Sequence, residues 1–366
     1  MGAMGFRCGI VGLPNVGKST IFNALTAAGA KVANFEFCTI DPNEGIVPVP
    51  DLRLERLAAM LPHERVRRTT LEFVDVAGLV RGAAREGKGR GAEFLGHIRT
   101  TDALVHVIRC FESSDVIASH STLDPVEDAA IVNLELALAD LVTVDRRLDK
   151  CRKLGKVGQK DAAAEAAALE RVLAHLDRGE PARALGEALP PEAAALQLLT
   201  AKPMLYVANV SEDQLRGSPK VAALEALARQ EGAGLVAICG DMEAEIATLE
   251  DPADRAAFLA DIGLELSGLD QLVRAGYRLL GLITFYTVVG PEIGSWTVTE
   301  GTTAPRAAGK IHSDMERGFI RAEVIGFDPF VELGSEVAAR EAGRIRSEGQ
   351  EYIVQDGDIV RFRFNV

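Results

Sequence analysis

The 366-residue chain lacks any run of 18 or more consecutive apolar residues, which excludes an ordinary membrane-spanning helix. Its N-terminus has no basic segment followed by a long apolar core, so a secretory leader is not expected. Cysteine is scarce. The five thiols, Cys8, Cys38, Cys110, Cys151 and Cys239, are odd in number and widely spaced, and fit neither a disulfide framework nor a zinc site. That usage points to a reducing, cytoplasmic setting. Basic charge is also in deficit: 40 Lys and Arg stand against 53 Asp and Glu, and the net charge of −13 speaks against a generic nucleic-acid coat. Aromatics make up only 5% of the residues, and none lies between Phe111 and Tyr206.

What is present divides the chain into three. Apolar residues at 48% and charged ones at 25% suit a globular protein, and the length suits roughly two to three domains. Met4-Gly5-Phe6 is a second start after Met1-Gly2-Ala3, and the fold is expected to begin there. The stretch without aromatics is rich in helix formers, as in Asp161-Ala-Ala-Ala-Glu-Ala-Ala-Ala-Leu-Glu170. Leu134, Leu138, Leu141, Val142 and Leu148 have helical spacing, as do Leu169, Val172, Leu173 and Leu176. A break at Gly155-Lys-Val-Gly158 separates the two runs, which predicts an antiparallel helical hairpin over 126–200. Short apolar runs at Phe6–Val11, Leu71–Asp75, Ala103–Arg109, Met204–Ala208 and Leu235–Ile238 predict buried parallel strands of an α/β sheet. Turn signals and β-rich runs (Phe319–Val324, Ile359–Phe364) predict a small α+β module over 283–366. The α/β domain then comprises 4–125 and 201–282.

The chemistry begins after the first strand. Gly12-Leu-Pro-Asn-Val-Gly-Lys-Ser19 matches GxxxxGK[ST] between a strand and a helix, which is a phosphate-binding loop. In it the backbone amides of Asn15, Val16, Gly17, Lys18, Ser19 and Thr20 face phosphate oxygens, and the helix N-terminus adds positive potential. Lys18 reaches the β- and γ-phosphates and the Ser19 hydroxyl binds Mg²⁺. Asp75-Val-Ala-Gly78 follows a strand, with Asp75 on the magnesium side and Gly78 placed to sense the γ-phosphate. Thr39 is the candidate that completes the magnesium shell. Leu79 stands where Ras-like enzymes carry the Gln that positions water, and a leucine cannot do that. The strand end Tyr206-Val-Ala-Asn209-Val210-Ser211-Glu212 sits where guanine readers have Asn-Lys-x-Asp. Val replaces the Lys and Glu the Asp, so Asn209 remains for a purine and adenine becomes at least as well suited as guanine.

These motifs, with Asn34-Phe-Glu-Phe-Cys-Thr-Ile40, Phe73-Val-Asp-Val-Ala-Gly-Leu-Val80 and Ala308-Gly-Lys-Ile-His-Ser-Asp-Met-Glu-Arg-Gly-Phe-Ile-Arg-Ala-Glu323, resemble the YchF-type Obg-like ATPases along the whole chain from Met4. The resemblance implies a Ras-like P-loop nucleotide domain, an inserted α-helical coiled coil and a C-terminal ubiquitin-like (β-grasp) TGS domain. It implies Mg²⁺-dependent hydrolysis of ATP in preference to GTP, stimulation by K⁺ with Asn15 as the ion's holder, and a monomer that associates with ribosomes and their rRNA. The family carries a hydrolytic His in the loop after Arg-Cys-Phe-Glu. Simple spacing puts Ala118 there, with His120 two residues on, so either the loop is re-registered and His120 serves or hydrolysis proceeds differently. Cys38 beside Thr39 is either a redox handle or a buried thiol. From Asp145 to Lys160 seven basic residues and two acids give a local charge of +5. That run reads as a solvated helix face or as an rRNA-facing hairpin tip. Two other functions stay open: a nucleotide-dependent, chaperone-like regulator with incidental hydrolysis, and a GTP-specific Obg/Drg-like GTPase.

Overall fold

The computed structural model describes residues 6–32, 43–76, 90–112, 123–156, 160–185, 189–249 and 251–365. In chain order the main elements are β1 (Arg7–Val11), α1 (Lys18–Val32), β2 (Glu44–Pro48), α2 (Leu52–Met60), β3 (Arg65–Arg67), β4 (Thr70–Asp75), α3 (Arg90–Arg99), β5 (Ala103–Arg109), α4 (Pro125–Lys156) and α5 (Lys160–Asp177). They continue with β6 (Met204–Asn209), β7 (Gly234–Ile238), β8 (Leu282–Val289), β9 (Glu292–Thr299), β10 (Phe319–Gly326), β11 (Arg346–Glu348) and β12 (Asp358–Phe364). The chain forms two compact units. One holds Phe6–Val47 and Glu72–Gly276, and the other holds Pro48–Leu71 and Tyr277–Val366.

The first unit is built on a six-stranded sheet in the order β2-β4-β1-β5-β6-β7. β1 lies parallel to both β4 and β5, β5 to β6 and β6 to β7. Every residue of β5 and β6 is buried, which is why these segments read as continuous apolar runs. Strand order reverses beside β1, so the loop after β1 opens at the crevice where such sheets bind ligands.

The predicted hairpin is present as α4 and α5. Asp124 starts α4 by accepting from the amides of Val126 and Glu127. Val144, Leu148 and Cys151 of α4 pack with Leu169, Val172 and Leu176 of α5, and Ala182, Ala193 and Leu198 from the returning chain close this core. At the hairpin's base Asp140, 1% exposed, accepts from the amides of Leu199 and Thr200 and from the Thr200 hydroxyl. A second buried cluster ties α4 to the sheet. Asn133 donates to the Tyr206 hydroxyl and to Glu231, Tyr206 donates to Glu231, and Arg183 pairs with Glu231. His106 packs on the Tyr206 ring, and burial, then Arg183, push its pKa down to about 3, so it stays neutral.

The other unit has a mixed sheet in the order β11-β10-β12-β8-β9-β3. One face packs on the helix Ala304–Ile311 through Phe285, Trp296, Val298, Phe319 and Phe362. The opposite face packs Tyr286, Ile293, Ile325 and Ile359 against Leu54 and Leu57 of α2. β3 runs parallel to β9, the Thr69 amide donates to the Ser295 hydroxyl, and Arg53 holds Asp356 in a two-pronged pair. Pro48–Leu71, which the sequence reading assigns to the nucleotide domain, therefore lies in the same compact unit as the C-terminal module.

Candidate nucleotide site

The phosphate loop is shaped by its glycines and by a distant asparagine. A Cβ on Gly12 would lie 2.5 Å from the Val107 carbonyl oxygen. Gly17 has φ +91°, and a Cβ there would overlap the Asn209 side-chain nitrogen. Asn15 takes φ +62° at an exposed position, a left-handed conformation that Asn tolerates better than most residues. Val16 is buried, Lys18 and Thr20 are half-buried, and Ser19 is exposed on the first turn of α1. Unpaired amides of that turn and the α1 dipole make the loop an anion site.

Asn209, at the end of β6, is only 4% exposed and its amide group is engaged on both sides. Its Nδ2 donates to the Val16 carbonyl at 2.9 Å and its Oδ1 accepts from the Gly240 amide at 3.1 Å. One side chain thus fastens the phosphate loop to the loop after β7. The Val210 amide donates to the Ile238 carbonyl at 2.9 Å, which keeps that second loop alongside. Sequence reasoning singles out Asn209 but not this clamp. A Cβ on Gly240 would sit 3.3 Å from Asn209 Oδ1, so the glycine leaves room for the clamp. Glu212 is exposed and lines a cleft of about 710 Å³ with Arg216, Met242, Ile262 and Leu264.

Asp75 ends β4, its amide anchored on the Asn43 carbonyl at 2.8 Å. Its Oδ1 is buried and has no hydrogen-bond partner among the described residues. A buried carboxylate oxygen left so is costly unless a cation or its water shell completes it. With the exposed Ser19 hydroxyl, this donor set fits a Mg²⁺ carried in with nucleotide phosphates. Thr39, Gly78, Leu79, Cys38, Ala118 and His120 lie outside the described residues. Leading toward the segment with His120, Arg109 donates to the Phe111 carbonyl and stacks on the Phe111 ring, and Lys220 pairs with Glu112 at 2.7 Å.

At the hairpin end the side chains of Lys156 and Lys160 lie outside the described residues, and the other five basic residues of the run sort into two groups. Arg147 is paired with Glu165 and Arg152 with Glu170, both carboxylates belonging to α5. Arg146, Lys150 and Lys153 are exposed, have no ion pair among the described residues, and share one face of α4 at i, i+4, i+7 spacing.

Residues 7–144 match the family model described as a 50S ribosome-binding GTPase, and residues 282–365 match the C-terminal YchF GTPase model, described as a protein of unknown function. The chain is 51% identical over 365 residues to the ribosome-binding ATPase YchF of Haemophilus ducreyi, covering 99% of this chain and 100% of that one. The chain belongs to the YchF family. The YchF of Escherichia coli O157:H7 is 49% identical and that of Bacillus subtilis 46%, each matched over its full length. The YchF GTPase structure from Schizosaccharomyces pombe superposes with a TM-score of 0.87 at 33% identity, covering 99% of both chains. A GTP-binding protein from Pyrococcus horikoshii, at TM-score 0.61 and 21% identity, shares the fold. The P-loop nucleotide hydrolase architecture expected from Gly12–Ser19 and the C-terminal YchF module are both present. Among the described residues no helix is long and apolar enough to cross a membrane.

Proposed function

We propose that this YchF-family chain is a cytoplasmic, monomeric, Mg²⁺-dependent ATPase whose nucleotide state controls its binding to ribosomes, with ATP preferred over GTP. The observation that carries the base preference is the strand end at Asn209. Guanine reading needs a carboxylate held at the base edge and a Lys beneath it. Here Glu212 is exposed and position 210 is a buried valine. The Asn209 clamp holds the phosphate loop and the base-side loop in register without that Lys, which leaves a purine pocket that does not depend on a guanine-specific acceptor.

Within it, Lys18 and the amides of Asn15–Thr20 hold the phosphates and stabilise the charge that grows on them in the transition state. Ser19 and Asp75, with Thr39, are the residues that would hold Mg²⁺, which supplies further neutralisation of that charge. Gly78 senses the γ-phosphate, and because Leu79 cannot orient a water, His120 is the candidate for that task. Asn15, exposed in its left-handed conformation, is the candidate K⁺ holder. Arg146, Lys150 and Lys153 are the rRNA-facing part of the hairpin 126–200. Measured affinities test the base preference: ATP should bind at least as tightly as GTP, and tenfold tighter GTP binding would overturn it. A second reading, a chaperone-like regulator with incidental hydrolysis, is favoured by Leu79 and by Ala118 at the spacing of the family's His, and predicts ribosome binding that survives Lys18→Ala.

A further inference from the structure

The hairpin of α4 and α5 keeps an apolar groove that its own fold does not cover. Val144, Leu148 and Cys151 already pack with Leu169, Val172 and Leu176, and the returning chain closes that core from one side. Asp140 and His175 mark this side. Asp140 accepts from the amides of Leu199 and Thr200, and His175 Nε2 donates to the Pro181 carbonyl at 3.0 Å. Val142 and Asp177 each lie two residues further along, about 200° around the helix, and so face the other way. There α4 and α5 alone line a cleft of about 540 Å³, with Leu141, Val142, Leu173 and Ala174 as its apolar wall. Leu134, Leu138 and Val142 recur every four residues and carry the apolar stripe about 12 Å along α4. Leu134 is 53% exposed and Val142 51%.

The solvent face of such a helix is ordinarily polar. A single exposed apolar side chain is common on protein surfaces, but a stripe of them running into a cleft marks a docking surface. The charge of its edge says what docks there. The charged residues that line the cleft are Asp145, Glu170 and Asp177, all of them acidic. Asp177 has no ion pair among the described residues, and Glu170 holds Arg152 at 2.9 Å in a pair whose members are each about half exposed. Such an edge repels the phosphates of RNA or of an anionic membrane and attracts Lys and Arg side chains. The groove between two antiparallel helices also has the shape into which a third helix sets its side chains. Recognition of that kind reads apolar anchors at i, i+3 or i+4, and i+7 on the incoming helix.

We propose that this groove binds a basic amphipathic helix of a partner protein. Its apolar anchors lie against Leu141, Val142, Leu173 and Ala174, and its Lys and Arg side chains stand beside Asp145, Glu170 and Asp177. The proposal is independent of the ribosome-binding reading. The test uses the full-length chain and a fluorescein-labelled helical peptide of about five turns, with Leu at i, i+4, i+7 and i+11 and Lys on its flanks, read by fluorescence anisotropy. Wild type should bind it about tenfold tighter than a scrambled peptide of the same composition, and tighter again than one with every Lys replaced by Glu. V142S should weaken binding about fivefold through lost apolar contact. D145N/D177N should weaken it about fivefold and flatten its salt dependence. ATP turnover and melting temperature should hold in both, because these side chains are exposed. R146Q/K150Q/K153Q should not weaken peptide binding, and a loss there would move the peptide to the basic face and overturn the proposal. Failure of wild type to distinguish the three peptides would overturn it, and so would unchanged affinity in either V142S or D145N/D177N. A wild-type dimer in sedimentation equilibrium that V142S dissociates would give the groove to a second copy and overturn it as well.

Discussion

Replacing Asn209 by alanine removes both hydrogen bonds that join Val16 to Gly240 and leaves their backbone groups unpaired in a buried place. At about 1 kcal/mol for each bond, nucleotide affinity should fall roughly thirtyfold, with a smaller loss of melting temperature. Isothermal titration with ATP measures it, and affinity within threefold of wild type would mean the clamp is idle. Gly17→Ala should act more severely, since its Cβ would collide with the same side chain at a positive φ. The legibility of this site follows from the same geometry. Lys18, Ser19 and Asp75 announce themselves because their spacing from a strand end is local. The clamp spans 193 positions in sequence, and no local pattern reports so distant a partner.

Among the elements, the helix Gly240–Thr248 carries a titration that sequence does not reveal, at the N-terminus of the helix Gly268–Leu279. Glu243, 3% exposed, accepts from the Gly268 amide at its N-terminus, and its Oε2 is buried without a partner among the described residues. Burial raises its pKa to about 7, against opposing hydrogen bonds from Gly268 and Leu269. The folded chain therefore binds this proton more tightly than the unfolded one, and stability should fall as pH rises from about 4.5 to 7. Glu243→Gln should flatten that slope and raise the melting temperature at pH 8, and an unchanged slope would assign the dependence elsewhere. In the hairpin, Leu148→Ala should cost about 2–4 kcal/mol of stability on chemical denaturation, because Leu148 is fully buried among α5 residues. Its nucleotide affinity should not change. β1, β4, β5, β6 and β7 fall where apolar runs predict them, and β10 and β12 cover the β-rich runs Phe319–Val324 and Ile359–Phe364. β2 escaped notice because Glu44–Pro48 mixes a charge, a glycine and a proline, and β3 because it has three residues, two of them arginine.

For the molecule as a whole, a net charge of −13 argues against nucleic-acid binding only if charge is spread evenly. It is not. The structure narrows the basic run on the hairpin: α5 carboxylates neutralise Arg147 and Arg152, partners 18 residues away, and leave Arg146, Lys150 and Lys153 exposed. Substituting those three with Gln should weaken ribosome co-sedimentation and flatten its salt dependence, whereas Arg147→Gln and Arg152→Gln together should change it little. Equal losses from both sets would show that the pairing does not matter. The division into units was partly legible, since the composition shift near residue 280 marks the C-terminal module. The membership of Pro48–Leu71 was not, because β3 finds β9 and Thr69 finds Ser295 across 226 positions. Control of ribosome binding by nucleotide is tested by pelleting purified ribosomes with wild type and with Lys18→Ala. Wild type should co-sediment to different extents with a non-hydrolysable ATP analogue and with ADP, while Lys18→Ala shows no such difference. Equal pelleting of both proteins in every nucleotide state would contradict it.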